Sequence, residues 1–160
     1  IEDMVRFPCT MVDRIVPATE DEDRAALAHE LGIDDRGLVK AEPFSQWVIE
    51  ADTRGGDDPV APLAEVGALL VADVAPFETM KLRLLNGAHS ALAYLGYLAG
   101  CETVDRAMAL PGMPAFIAVL HGDEIVPTLQ VPADFDLAGY RRALLARFAN
   151  AALRHRTWQI

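Results

Sequence analysis

Pro76-Phe-Glu-Thr-Met-Lys81-Leu-Arg-Leu-Leu-Asn86-Gly-Ala-His89 is the stretch on which the fold and the chemistry both turn. With Pro76 at the first helical position and Gly100 just past the end, residues 76–100 read as one helix of about two dozen residues, roughly 36 Å long. Leu82, Leu84, Leu85, Ala88, Ala91, Leu92, Leu95 and Leu98 point in nearly every direction around it, and a helix apolar on all sides is expected in a protein interior. At about 100° per residue, Glu78, Lys81, Asn86 and His89 share an arc of roughly 140°. Any one of them is readily explained as a satisfied core residue or a snorkelling lysine. Four on one arc favour a site, because burying such groups costs several kcal/mol unless partners or a ligand satisfy them. A Lys taken out of water is suited to carry a proton, an Asn amide can donate to a developing oxyanion, and a His can orient a hydroxyl. Lys, Asn and His without a nucleophile read as carbonyl–alcohol chemistry.

Two further blocks accompany this helix: Phe7-Pro-Cys-Thr-Met-Val-Asp-Arg-Ile-Val-Pro17 and Glu42-Pro-Phe-Ser-Gln-Trp-Val-Ile-Glu50. With Lys81-x4-Asn86-x2-His89 they resemble, in order and almost end to end, the polyol-specific long-chain dehydrogenases. This is the family of mannitol 2-dehydrogenase and fructuronate reductase (D-mannonate oxidoreductase). The resemblance implies a mainly α fold, the helical C-terminal substrate domain of a long-chain dehydrogenase, like the C-terminal domain of 6-phosphogluconate dehydrogenase, with a few short N-terminal strands. It implies an NAD-dependent, metal-independent oxidoreductase of carbohydrate metabolism. Lys81 is then the general acid and base, Asn86 polarises the ketone oxygen, His89 positions the substrate, and Glu78 gates the proton's route to water. Asp13 and Arg14, ordinarily a structural ion pair in such a run, are placed by the resemblance near the cofactor–substrate cleft.

The end of the chain bears on the substrate. Arg154-His-Arg-Thr-Trp-Gln-Ile160 concentrates cations, and by default it is a basic helix start facing an acidic surface. Residues 147–160 look more like the fructuronate reductase branch than the mannitol branch, which usually carries an Asp-Thr pair and a later Arg here. This chain has His155-Arg156 and Gln159 at those places, and Ala151 where a Pro is usual. The resemblance implies that His155 or Arg156 supplies charge for a uronate carboxylate, with Gln159 beside them. The expected reaction is D-fructuronate plus NADH to D-mannonate plus NAD. The alternatives are a fructose/mannitol enzyme, and a helical binding or oligomerisation module that has kept the motif without activity.

Composition sets the outer limits. The 160 residues are one domain's worth of chain, and 52% hydrophobic with 24% charged residues marks a globular protein. The apolar stretches are too short, or too interrupted, for a membrane helix. Two cysteines are too few for a disulfide framework or a metal site, which favours a reducing cytoplasm. A net charge of −10 argues against nucleic acid or an anionic membrane as partner; it does not forbid an anionic substrate, and the resemblance implies a small sugar acid or polyol.

Along the chain, residues 4–17 read as an entering strand, and residues 20–31 as an acidic surface helix capped by Thr19 and ended by Gly32. Residues 38–50 read as one or two short strands around Pro43, 51–59 as a polar, mobile loop, and 61–74 as an apolar lead into the central helix, with Asp73 helping to cap it. Short helices are expected over 103–110 and 113–120, His121 on the surface, and a linker over 128–136. Residues 137–148 read as an amphipathic helix with Leu137, Tyr140, Leu144, Leu145 and Phe148 inward and Arg141, Arg142 and Arg147 outward. There is no Gly-x-Gly-x-x-Gly after a strand and no βαβ alternation to house a dinucleotide. The domain plan is therefore residues 1–160 as a mostly helical substrate domain, with 1–50 a strand-containing entry segment and 61–160 the helical core. The N-terminal Rossmann domain that would mainly bind NAD, and on which this domain would pack, is expected to be missing from the chain. Alone, such a fragment is expected to be inactive.

Overall fold

The computed structural model describes residues 7–51 and 58–160. Residues 4–6 of the expected entering strand and most of the expected mobile loop lie outside these.

A three-stranded sheet of β1 (Thr10–Asp13), β2 (Gln46–Glu50) and β3 (Ala68–Val71) packs on one side of the helical body, in the order β1-β2-β3. β1 pairs antiparallel with β2, Met11 opposite Val48, and β2 pairs parallel with β3, Val48 opposite Leu69. Met11 and Val48 are buried and join the main core, so the sheet turns one face of β-branched and long apolar side chains onto the helices. β3 is a strand where an apolar lead to the helix was expected, and a 3-10 turn, Ala61–Val66, precedes it. The periodicity of four residues is too short to separate strand from helix.

Helix α1 (Asp21–Leu31) ends on Gly32 in the left-handed conformation, as expected, and buries none of its residues. Its N-cap is Glu20, which forms a reciprocal capping box with Asp23; the Thr19 hydroxyl donates instead to the Leu38 carbonyl.

The central helix runs from residue 75 to 98 as α2 (Ala75–Met80), a π turn (Lys81–Asn86) and α3 (Gly87–Leu98). Asp73 accepts from the Ala75 N–H at its start. Met80, Leu84 and Leu92 have no exposed surface and form the centre of the core with Ile117 of α5 (Met113–Val119) and Leu144 of α6 (Leu137–Phe148). The helix is not buried on all sides: Leu82, Tyr94, Leu95, Tyr97 and Leu98 are exposed. α4 (Val104–Met108), α5 and α6 join it in the core, and on the exposed side the Trp158 ring lies 5.2 Å from that of Tyr97. Gly96 marks a close approach of α3 to α4, since a Cβ there would fall 2.7 Å from the Ala107 side chain.

α6 has the expected bounds and inward residues, but Arg147 is a correction: it lies 7% exposed in the core rather than on the solvated face. His121 is a second one, with no exposed surface where a surface position was expected. It sits in a second π turn, Leu120–Ile125, that continues α5. After α6 the chain forms a bridge of Arg156 with Thr103 and a 3-10 turn, Thr157–Gln159, rather than the start of a basic helix.

Candidate active site

The π turn shapes the polar face. Its bonds run from N–H to the fifth carbonyl back, as Gly87 N–H to Leu82 shows, so five residues come closer to a full revolution than they do in an α-helix. Lys81 and Asn86, five apart, are therefore turned towards a common side, and the 140° arc of an ideal α-helix narrows. Single π turns of this kind are frequent at functional sites. His121 supports the turn from behind. Its Nε2 lies 3.0 Å from the Leu84 carbonyl, and because a carbonyl only accepts, Nε2 carries the proton. Burial holds the His121 pKa below its ordinary value, opposed by that same carbonyl, and the ring is neutral. The signal for its burial was its place four residues after Ile117 on a continuing helix.

The four residues of the arc differ in setting. Lys81 is half-buried, and its Nζ donates to the Val12 carbonyl of β1 at 2.6 Å. Glu78 and Asn86 are exposed, so their side of the helix is open. His89 is 9% exposed, between Phe148 at 4.9 Å and His155 at 5.0 Å, centroid to centroid. Burial, with the neighbouring His155 and Arg147, pushes the His89 pKa down to about 4. At neutral pH His89 is an uncharged hydrogen-bonding group.

Behind His89 lies a cluster that the sequence reading did not assemble. Asp13 (0% exposed) and Glu42 (1%) both bind Arg147. Arg147 Nη1 and Nη2 donate to the two oxygens of Asp13 at 3.1 and 2.6 Å; Nε donates to both oxygens of Glu42, and Nη2 to one of them. The Tyr140 hydroxyl donates to Asp13 Oδ2 at 2.6 Å, and the Ile15 N–H to Glu42 Oε1 at 2.6 Å. The guanidinium also stacks on Phe44, 4.0 Å from the ring centroid. Burial opposes the charge on Arg147, yet the Asp13 and Glu42 hydrogen bonds outweigh it and hold its pKa above the ordinary value. Burial and the Asp13 charge push the Tyr140 phenol up. Asp13 is thus in a structural ion pair, with Arg147 as its cation; Arg14 Nε donates to the Glu42 carbonyl. Arg147 lies three residues after Leu144 and seven after Tyr140, so helical periodicity did carry a sign of its burial. Nothing local points to Glu42, 105 residues away.

The substrate candidates at the end of the chain separate. His155 is brought to His89, and its Nδ1 is buried without a hydrogen-bond partner. The space between His89, Arg147 and His155 is only about 10 Å³, too small for a sugar. Arg156 pairs with Glu20 at 2.8 Å and, with Gln159, lines a different cavity of about 730 Å³ that contains none of Lys81, Asn86 and His89. In that cavity Lys40 is paired with Asp23, as Arg156 is with Glu20. Among the described residues no group of three or more His, Cys, Asp or Glu is placed to hold a metal ion, and no helix is long and apolar enough to cross a membrane. Nor do they include a glycine-rich phosphate loop.

Comparison with known proteins identifies the family. The chain is 50% identical over its whole length to D-mannonate oxidoreductase of Escherichia coli (strain K12), covering 32% of that protein. It is 43% identical over 150 residues to a mannitol 2-dehydrogenase of Aspergillus fumigatus, covering 92% of this chain and 29% of the relative. The chain thus spans about a third of the length of the curated relatives it matches. The structure superposes on Pseudomonas fluorescens mannitol 2-dehydrogenase, solved as a ternary complex with NAD and D-mannitol. The TM-score is 0.82 at 39% identity, over 96% of this chain and 30% of that one. The description "Mannitol dehydrogenase Rossmann domain" matches residues 1–61, the segment with β1 and β2, and "Mannitol dehydrogenase C-terminal domain" matches residues 73–160. The Lys81–Val12 bond and the Arg147 cluster both join the first matched segment to the second. With both domain descriptions matched in order around this polar helix, the chain belongs to the mannitol dehydrogenase family.

Proposed function

We propose that this chain is the substrate-binding and catalytic part of an NAD-dependent sugar-acid or polyol dehydrogenase, and that its reaction is reduction of D-fructuronate to D-mannonate. The observation that carries the reading is the Lys81 ammonium, held 2.6 Å from the Val12 carbonyl at the open side of a π-turned helix that also presents Asn86 and His89. NADH supplies the hydride, from a site built mainly by parts of the full-length protein outside this chain. Lys81 donates the proton to the ketone oxygen in reduction and takes it back in oxidation. Asn86, exposed on the same face, donates its amide to that oxygen. His89, uncharged, accepts or donates to a neighbouring hydroxyl. Glu78, one turn before Lys81 and exposed, passes the proton to water.

In this reading His155, which stands against His89 with a ring nitrogen unpartnered, acts on the substrate through His89, because the space of about 10 Å³ between them does not admit the uronate itself. The 50% identity to a D-mannonate oxidoreductase supports the sugar acid. The fructose/mannitol reading is supported by the mannitol dehydrogenase relatives at 42–43% identity and by the superposition on the mannitol 2-dehydrogenase. Residues 73–160 are proposed as the substrate domain proper, with the strand-containing segment before them joining it to the cofactor domain.

The test is the initial rate of NADH oxidation by the full-length protein with D-fructuronate and D-fructose at equal concentration. A tenfold or greater preference for fructuronate is expected, and preference for fructose selects the mannitol reading. Lys81→Ala is expected to lower turnover by several orders of magnitude with the fold kept; near-normal turnover refutes the catalytic assignment.

A further inference from the structure

Resting on the assignment of Lys81 as the proton carrier, we infer that Arg147 is a positioning residue for the reaction: it fixes the strand whose carbonyl holds the Lys81 ammonium. Val12, the acceptor of Lys81, is adjacent to Asp13, both of whose oxygens are held by Arg147. Glu42 completes the grip on the same strand, because it accepts from the Ile15 N–H and its own N–H donates to the Ile15 carbonyl. Arg147 therefore holds the end of β1 at Asp13 and the segment just after it at Ile15, on either side of Arg14, through carboxylates that are themselves buried. It lies beside His89 as well, lining the same small space. One guanidinium thus fixes the backbone whose carbonyl holds the Lys81 ammonium.

The chemistry of the group fits such a role better than a purely cohesive one. A planar guanidinium engaging two carboxylates through three nitrogens allows one geometry, whereas a lysine ammonium is a point charge that tolerates many. Apolar side chains of similar volume often stabilise a core as well as a buried ion pair does, so cohesion alone gives little reason for a charge here. The cluster also spans the two matched segments of the family, which places it where the cofactor-bearing and substrate-bearing parts of the protein are held in register. Displacements of about 1 Å at a reacting centre cost on the order of 100-fold in rate.

The experiment is a double-mutant cycle in the full-length protein: wild type, Arg147→Lys, Lys81→Ala and the double variant. Single-turnover reduction of D-fructuronate is measured well below the unfolding temperature, with NADH affinity measured by fluorescence. Arg147→Lys is expected to lower the rate about 100-fold with NADH affinity unchanged, and to have no further effect once Lys81 is Ala, because its influence passes through that side chain. A role in stability alone predicts a lower unfolding temperature with the rate of the folded enzyme retained, or an equal loss in both backgrounds; either result overturns the inference. If Arg147→Lys does not accumulate as folded protein, the same cycle is run with Tyr140→Phe, which removes only the phenol donor to Asp13, and is judged by the same dependence on Lys81. Should Lys81→Ala itself turn over normally, the assignment beneath the inference falls with it. Should Lys81→Ala be strongly impaired while the Arg147→Lys loss persists in full in that background, only the inference falls.

Discussion

Acidification should weaken this fold through His89 in a way that can be isolated. Its side chain is 9% exposed, and burial with the cations nearby puts its pKa at about 4, against an ordinary value of 6.5. As pH falls through 6.5 the unfolded chain takes up a proton at this position, while the folded chain does so only near 4. Within that window the unfolded state binds more protons, so stability rises with pH and falls on acidification. Between about pH 7 and pH 4.5 the His89 contribution amounts to about 2.5 kcal/mol. His121 and His155 are shifted in the same direction by burial and steepen the slope. The comparison is therefore between wild type and His89→Asn, by urea denaturation at each end of the window. The variant is expected to lose about 2.5 kcal/mol less than wild type on acidification, whatever its stability at pH 7. If both proteins lose the same amount, His89 is protonated in the folded state at an ordinary pH, and the account of its burial is wrong.

Other expectations follow from local geometry. Gly96→Ala places a Cβ 2.7 Å from the Ala107 side chain, and separating α3 from α4 is expected to cost about 1–3 kcal/mol, read as a lower urea midpoint with an unchanged slope. Arg156→Ala removes an exposed ion pair with Glu20 on a cavity away from Lys81; stability should change by less than about 1 kcal/mol and the KM for fructuronate by less than about twofold. His155→Phe, by contrast, is expected to raise that KM by at least about tenfold; the reverse pattern would make Arg156 the carboxylate reader. The loss of turnover in Lys81→Ala and the non-additivity of Arg147→Lys complete the set.

Elements with long, regular apolar patterns were legible from residues alone. The bounds of α6, the Gly32 stop of α1 and the start of the central helix came from periodicity and from capping or turn chemistry, which act within a few residues. The family followed from three short blocks in order. Strand β3 escaped, because an apolar tetrapeptide suits helix and strand alike and its pairing with β2 decides between them. The π turn escaped too, since no residue in 81–86 demands it.

The outward reading of Arg147 and the surface reading of His121 failed for a common reason. Charge and polarity were weighed above helical phase, although Leu144 and Ile117 place both side chains on buried faces. Phase could have shown that they are buried, but not what satisfies them there. The partners of Arg147 lie 105 and 134 residues away at Glu42 and Asp13, and the His121 acceptor is a backbone carbonyl 37 residues back. Local sequence sets which segments form helices and which side chains are available for chemistry, because propensity, phase and capping are short-range. The arrangement of the site is of another kind. Val12 beneath Lys81, His155 against His89, and Arg156 turned to a separate cavity follow from long-range packing, in which most buried polar groups find a partner wherever the fold brings one.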